Sequence, residues 1–183
     1  MLARRARAAG VVYTLAYGDQ PALICELVEW ARLSGFEVVC AGKGTKHLPA
    51  YHEVTPATVW EHYGLPREQT AGMNAQMFCS FLDGTKSAVE MAAVANATGL
   101  VPQARGLGFP ACGTGELAAQ LRTSADGGVL DRGGTLEVVS SLRSDGSRVP
   151  GDLRWGVYVT IAAADRFVAA AFAAYGVATS GDG

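Results

Sequence analysis

Residues 11–16, VVYTLA, form a short run of β-branched, aliphatic and aromatic positions, the pattern of a strand covered on both faces. Gly18, Asp19 and Gln20 follow as a turn, and Pro21 suits the first helical position, where its missing N–H costs nothing. Over residues 22–33 the apolar positions Leu23, Ile24, Leu27, Val28 and Ala31 recur at helical spacing, and Gly35 closes the helix. Residues 36–41 read as a second buried strand. Strand, helix and strand within about thirty residues predict a βαβ unit and a parallel sheet.

Beyond it, a connecting stretch ends in a short helix with Thr55 as N-cap and Pro56 at its first position, and PREQTAG at 66–72 is a polar turn. Residues 74–97 predict the longest helix, closed by Gly99. At about 100° per residue, Gln76, Ser80, Asp83, Lys86, Ser87 and Glu90 share one arc of roughly 120°, and the rest of the circumference is apolar. That is a mostly buried helix with one polar groove. A Gly/Pro loop over 101–115 and a short helix over 116–122 follow. Strand runs at 136–142 and 156–162 are joined by a long hairpin connection carrying an Asp-Gly turn, and a final helix spans 165–175. The pattern predicts an α/β edge followed by a mixed α+β portion. A doubly wound nucleotide-binding sheet needs about five or six strands, yet only two candidates precede the long helix, and the G-x-G-x-x-G turn is absent.

Hydrophobic residues make up 49% of the chain and charged residues 17%, the latter against about 25% in an average domain. Either the core is well buried or part of the surface meets another piece of protein. The formal net charge of -2 and the lack of any run of like charge remove the electrostatic footprint of a nucleic-acid binder. The arginines of MLARRARAAG are not followed by a signal-peptide core, and no window of about 18 uncharged apolar residues exists, so a cytoplasmic chain without a membrane span is expected. Cys25, Cys40, Cys79 and Cys112 form no C-x-x-C pair and read as buried free thiols.

Three places could carry chemistry. On the long helix a carboxylate and an ammonium side by side in a partly dry cleft would shift each other's pKa and polarise a carbonyl or relay a proton; the plainer alternative is a solvated Lys86–Glu90 pair four residues apart. In AGKGTKHLPAYH, Lys43 and Lys46 follow a strand's carboxyl end, where α/β sheets place ligands and a phosphate or carboxylate would be at home. It is not a Walker A loop, because Gly44 stands where Ser or Thr is needed. In AYGDQPA, residues 17–20 lead into a helix N-terminus that attracts anions, unless Asp19 or Gln20 merely caps it. His47, His52 and His62 lack the H-E-x-x-H spacing, and no metal site is expected.

The runs VVYTLAYGDQPALI, FEVVCAGKGTKHLPAYH, MFCSFLDGTKSAVEMAAVANATGL and DLRWGVYVT together resemble a family of homoserine dehydrogenase-like NAD(P)H oxidoreductases over residues 10–176. Its members include proteins with a C-terminal SAF domain and a branch with a deoxyxylulose-phosphate reductoisomerase-like catalytic domain. The resemblance implies that residues 1–45 are the C-terminal edge of a Rossmann-type parallel sheet and residues 46–183 an α+β substrate domain, the whole truncated at both ends relative to the family. It implies Lys86, Asp83 and Lys43 as catalytic residues, Lys46, Tyr51, His52 and Glu90 as substrate-binding residues, and Tyr17, Gly18 and Gln20 as cofactor contacts. NAD(P)H is the implied cofactor and a hydroxy acid or phosphosugar the implied substrate. Because the phosphate-cradling turn is missing, the expected partner is a separate Rossmann-domain chain or a second copy. Two alternatives stay open: a catalytically silent remnant or interaction module with the same fold, and a phosphosugar-binding protein without redox chemistry.

Overall fold

The computed structural model describes residues 2–13 and 17–180. Helix α1 (Leu2–Ala9) precedes α2 (Gln20–Leu33), whose N-cap is Asp19; its carboxylate accepts the Gln20 N–H, and Pro21 occupies the first turn. Strand β1 (Glu37–Thr45) follows, then α3 (Val59–Tyr63), α4 (Ala75–Leu82), α5 (Thr85–Thr98), the two-residue strand β2 (Val101–Pro102), α6 (Leu117–Gln120), β3 (Thr135–Ser140), β4 (Val157–Ala162) and α7 (Arg166–Ala174). The strands form one sheet in the order β2-β3-β1-β4, with β1 parallel to β3 and antiparallel to β4. The fold is mixed α/β.

One face of the sheet packs on α2 and α5 through Ile24, Val28, Ala41, Met91, Val94, Leu136 and Val138. The opposite face buries Cys40, Cys112, Leu121, Leu130, Val139 and Tyr158. A satellite cluster of Tyr51, Val59, Cys79 and Leu82 holds α3 and α4 beside the end of β1. Among the described residues no helix is long and apolar enough to cross a membrane.

Several expectations are corrected. Residues 11–13 are exposed and in no strand, while the rest of the expected first strand, 14–16, lies outside the described residues. The strand expected to stop at 41 continues to Thr45, because Gly42 and Gly44 let neighbouring backbone approach too closely for any side chain: an added Cβ would lie 1.8 Å from the Glu137 carbonyl oxygen and 1.8 Å from that of Leu153. The short helix is capped at Thr58 instead of Thr55, whose N–H and hydroxyl are spent on the Thr58 hydroxyl. The expected long helix is two helices. It breaks at Asp83 and Gly84, where Gly84 takes φ 90°, so the single polar arc drawn through both halves does not exist. Strands β3 and β4 do not pair as a hairpin, since β1 lies between them; the Asp145-Gly146 turn closes only a local bridge from Leu142 to Arg148.

Gly42→Ala should therefore destabilise the fold at or beyond the upper end of the ~1–3 kcal/mol typical of overpacking. Gly115→Ala, with open space around the added carbon, should stay within about 0.5 kcal/mol. Urea midpoints of the two variants check this.

Candidate active site

Side chains alternate across a strand. With Gly42 and Gly44 accommodating close backbone on one side, Lys43 projects to the other, toward α5. It is 4% exposed. Its Nζ donates to Gln20 Oε1 at 2.9 Å and forms an ion pair with Glu90. Glu90, 8% exposed, also pairs with Lys86 one turn earlier on α5. One buried carboxylate thus bridges two ammoniums from different elements. Burial pulls the Lys43 pKa below the usual lysine range, against the hydrogen bond and charge of Glu90, which raise it.

These groups border a cleft of about 250 Å³ whose lining includes Gln20, Lys43, Lys46, Lys86, Arg154 and Trp155. Lys46 Nζ donates to the His62 and Tyr63 carbonyls at 2.6 and 3.4 Å and lies 5.7 Å above the Tyr51 ring. The Arg154 guanidinium lies 5.8 Å from the Tyr63 ring and 4.9 Å from that of Trp155. Neither Lys46 nor Arg154 has a carboxylate partner among the described residues, where both ion pairs belong to Glu90. Burial lowers the pKa of Lys46, and the like charges of Arg154 and Arg148 lower it further. Like charges gathered in a cleft raise the local concentration of anions.

Behind the cleft, His47 Nδ1 lies 3.1 Å from the Leu82 carbonyl, an acceptor, so Nδ1 carries the proton and donates. The His47 ring stacks on Phe109 at 4.0 Å, and burial pushes its pKa down. Phe109 adopts φ 50°, held by Glu137, whose carboxylate accepts the Gly108, Phe109 and Val138 N–H groups. Burial raises the Glu137 pKa against those bonds.

Of the residues singled out in the sequence, Lys43, Lys86, Lys46 and Gln20 line the cleft, and Glu90 is buried behind it, paired to Lys43 and Lys86. Asp83 turns instead to the Thr85 N–H at 2.8 Å, closing the gap between α4 and α5, and the carboxylate paired with Lys86 is Glu90. Tyr51 is buried beneath Lys46, and His52 is exposed with its ring 5.4 Å from that of His47. Tyr17 is 85% exposed, and Gly18 takes φ 87° in the turn before α2. Sequence reasoning missed Arg154, Trp155, Tyr63 and Phe81. A signal existed: the chain has only three lysines, Lys43, Lys46 and Lys86, and all three line the cleft.

Among the described residues no group of three or more His, Cys, Asp or Glu is placed to hold a metal ion. At the start of α2, Asp19 already puts a carboxylate on the first N–H and Pro21 has none to offer, so this terminus does not suit a pyrophosphate. The rim beside Gln20 carries the 74% exposed Trp155, an aromatic face on which a planar ring can stack.

No curated protein matches the chain. Residues 18–183 match the model of a family described as the catalytic domain of oxidoreductase DRL, a span that takes in both wings of the cleft, and the chain belongs to that family of oxidoreductase catalytic domains.

Proposed function

We propose that this domain is the substrate side of an NAD(P)H-dependent oxidoreductase of the homoserine dehydrogenase-like or reductoisomerase-like kind, acting on a small anionic carbonyl or alcohol compound, a hydroxy acid or a phosphosugar. The observation that carries this reading is the pair of lysines held on one buried carboxylate in the wall of a cationic cleft. Lys46 and Arg154 hold the anionic end of the substrate. The reacting oxygen lies against Lys43 and Lys86. Lys86, half-exposed and paired to Glu90, stabilises negative charge as it develops on that oxygen. Lys43 is the proton donor, because burial favours its neutral amine.

A nicotinamide bound beside Gln20 and Trp155 would supply the hydride-transfer chemistry. During reduction Lys43 gives a proton to the oxygen and becomes an amine, which solvent reprotonates; during oxidation the amine takes the alcohol proton. Glu90 keeps both nitrogens in place and compensates the charge that changes. The pyrophosphate end of a dinucleotide would be held outside the described residues, by a Rossmann-type domain or a second copy.

Two outcomes test the reading. With NADPH or NADH and a panel of hydroxy acids and phosphosugars, turnover followed at the nicotinamide absorbance should fall by about 10²-fold or more in Lys43→Met, the range expected for losing an acid–base group. Wild-type-like turnover in that variant removes Lys43 from the chemistry, and no turnover by the wild type with any member, even with a dinucleotide-binding Rossmann domain supplied, favours a silent module. Separately, inorganic phosphate or sulfate should bind the wild type in calorimetry, and Lys46→Ala combined with Arg154→Ala should weaken binding about tenfold or more. Binding that is indifferent to both substitutions moves the anion site elsewhere.

A further inference from the structure

We infer that Gln20 is a positioning residue that couples the two ends of the cleft, holding Lys43 by one bond and the turn that carries Arg154 and Trp155 by two others. The inference rests on the cleft being the substrate site, as proposed above. Gln20 opens α2, and its side chain crosses to two other parts of the chain. Nε2 donates to the Trp155 and Gly156 carbonyls, each at 3.3 Å, and Oε1 accepts from Lys43 Nζ at 2.9 Å.

The orientation of the amide is dictated by these partners. Carbonyl oxygens only accept, so the face toward residues 155 and 156 must be the NH₂ group, and Oε1 is left for the lysine. Had the amide been reversed, an oxygen would oppose two oxygens and an N–H would oppose an ammonium. One side chain thus reads three partners, and each fixes the choice made at the others.

The consequence for Lys43 is directional. An ammonium has three donor positions. Gln20 Oε1 takes one and Glu90 a second, leaving one on a nitrogen that lines the cleft. In the amine form the two N–H groups stay committed, and the remaining position becomes a lone pair. The same point in space can therefore donate a proton or accept one without the side chain turning.

The consequence for the turn is distance. Gly44 N–H donates to the Gly156 carbonyl at 3.1 Å, and the Leu153 backbone fits against Gly44 only because that residue has no Cβ. The same carbonyl of Gly156 takes the Gln20 amide. Arg154 is thereby anchored to the strand residue next to Lys43 and to the side chain that holds Lys43. One amide and one backbone bond set the separation between Lys43 and the backbone that carries Arg154, and the Tyr63 and Trp155 rings flank the guanidinium, a device for selecting the length of the substrate between its reacting carbon and its anionic end.

The test uses the substrate-free protein. Lysines labelled at Cε and Nζ give three resonances, one for each lysine of the chain. Gln20→Met keeps length and removes both kinds of bond; Gln20→Glu keeps the acceptor, adds negative charge and removes the donors. The titration midpoint of Lys43 should move to lower pH in Gln20→Met, where the charged form loses an acceptor, and to higher pH in Gln20→Glu, where it gains a counter-charge. Urea stability should fall in both, since both lose the bonds to the turn. A purely structural role would lower stability in the same way but leave the midpoint where it is. An unmoved midpoint, or one moving the same way in both variants, overturns the inference, and Gln20→Glu alone decides if the methionine variant does not fold. Inorganic phosphate affinity should drop about fivefold or more in both variants. If the wild type itself binds no phosphate while the Lys43 midpoints still separate, the functional reading fails and the positioning role of Gln20 stands.

Discussion

A carboxylate removed from water must be compensated, and Glu90 is compensated twice. Desolvating an ion costs several kcal/mol even after the protein relaxes, so a buried acid persists only where cations and donors meet it with good geometry. Here α5 supplies one ammonium from its own preceding turn, and β1 supplies the other from the centre of the sheet. The helix and the strand are therefore tied through charge as well as through Ala41, Met91 and Val94 in the core. Removing Glu90 would leave Lys43 buried without a counter-charge, whereas removing Lys86 would leave Glu90 with one partner still in place. The three groups form a hierarchy, with the carboxylate at its centre.

Placing the amine on a central strand has a structural requirement, and the sequence AGKGT meets it. A lysine in the middle of a sheet needs room on its own face and permits almost none on the other, where strand β3 and the 150–156 turn press close. Glycine on each side of Lys43 satisfies the second condition. The first is met because α5 presents Ser87 and Glu90, both buried, where Val94 and Met91 seal the core a turn or two further on. Lys43 thus sits on a strand bonded to neighbours on both sides, while Arg154 sits on a turn clamped to that strand. Groups that must hold a fixed distance benefit from such support.

How much of this could be read from the chain varies with the range of the interaction. The second helix with its aspartate cap, the buried strand after it, and the last helix opened by Asp165 follow from local spacing and appear nearly where expected. The break at Asp83-Gly84 was written in the sequence as well, since Asp-Gly is a poor helix interior, but the apolar spacing on either side masked it. The strand order was not legible: nothing local in residues 136–162 says that β1 will insert between two strands that a turn signal seems to join. The site divides in the same manner. Lys86 and Glu90 are neighbours by helical geometry alone, whereas the approach of Lys43 to Glu90 across 47 positions and of Gln20 to Trp155 across 135 exists only once the sheet has formed.

The scarcity of lysine sharpens the argument about charge. A chain with 15 basic and 17 acidic residues has no excess of positive charge to spread over its surface, yet its three lysines and Arg154 converge on one cleft wall where a single carboxylate answers them. Surface lysines are favoured for solubility and can be scattered at little cost; lysines confined to one concave site cannot be explained that way. Clefts with low-dielectric walls focus the field of such a cluster and raise the local concentration of anions. Lys46 is already made more acidic by burial and by the like charges of Arg154 and Arg148, a repulsion that an entering anion would relieve. The protein holds these cations together at a cost to its own stability, and under the function proposed above the energy returned when a phosphate or carboxylate enters would be available to orient the rest of the substrate against Lys43.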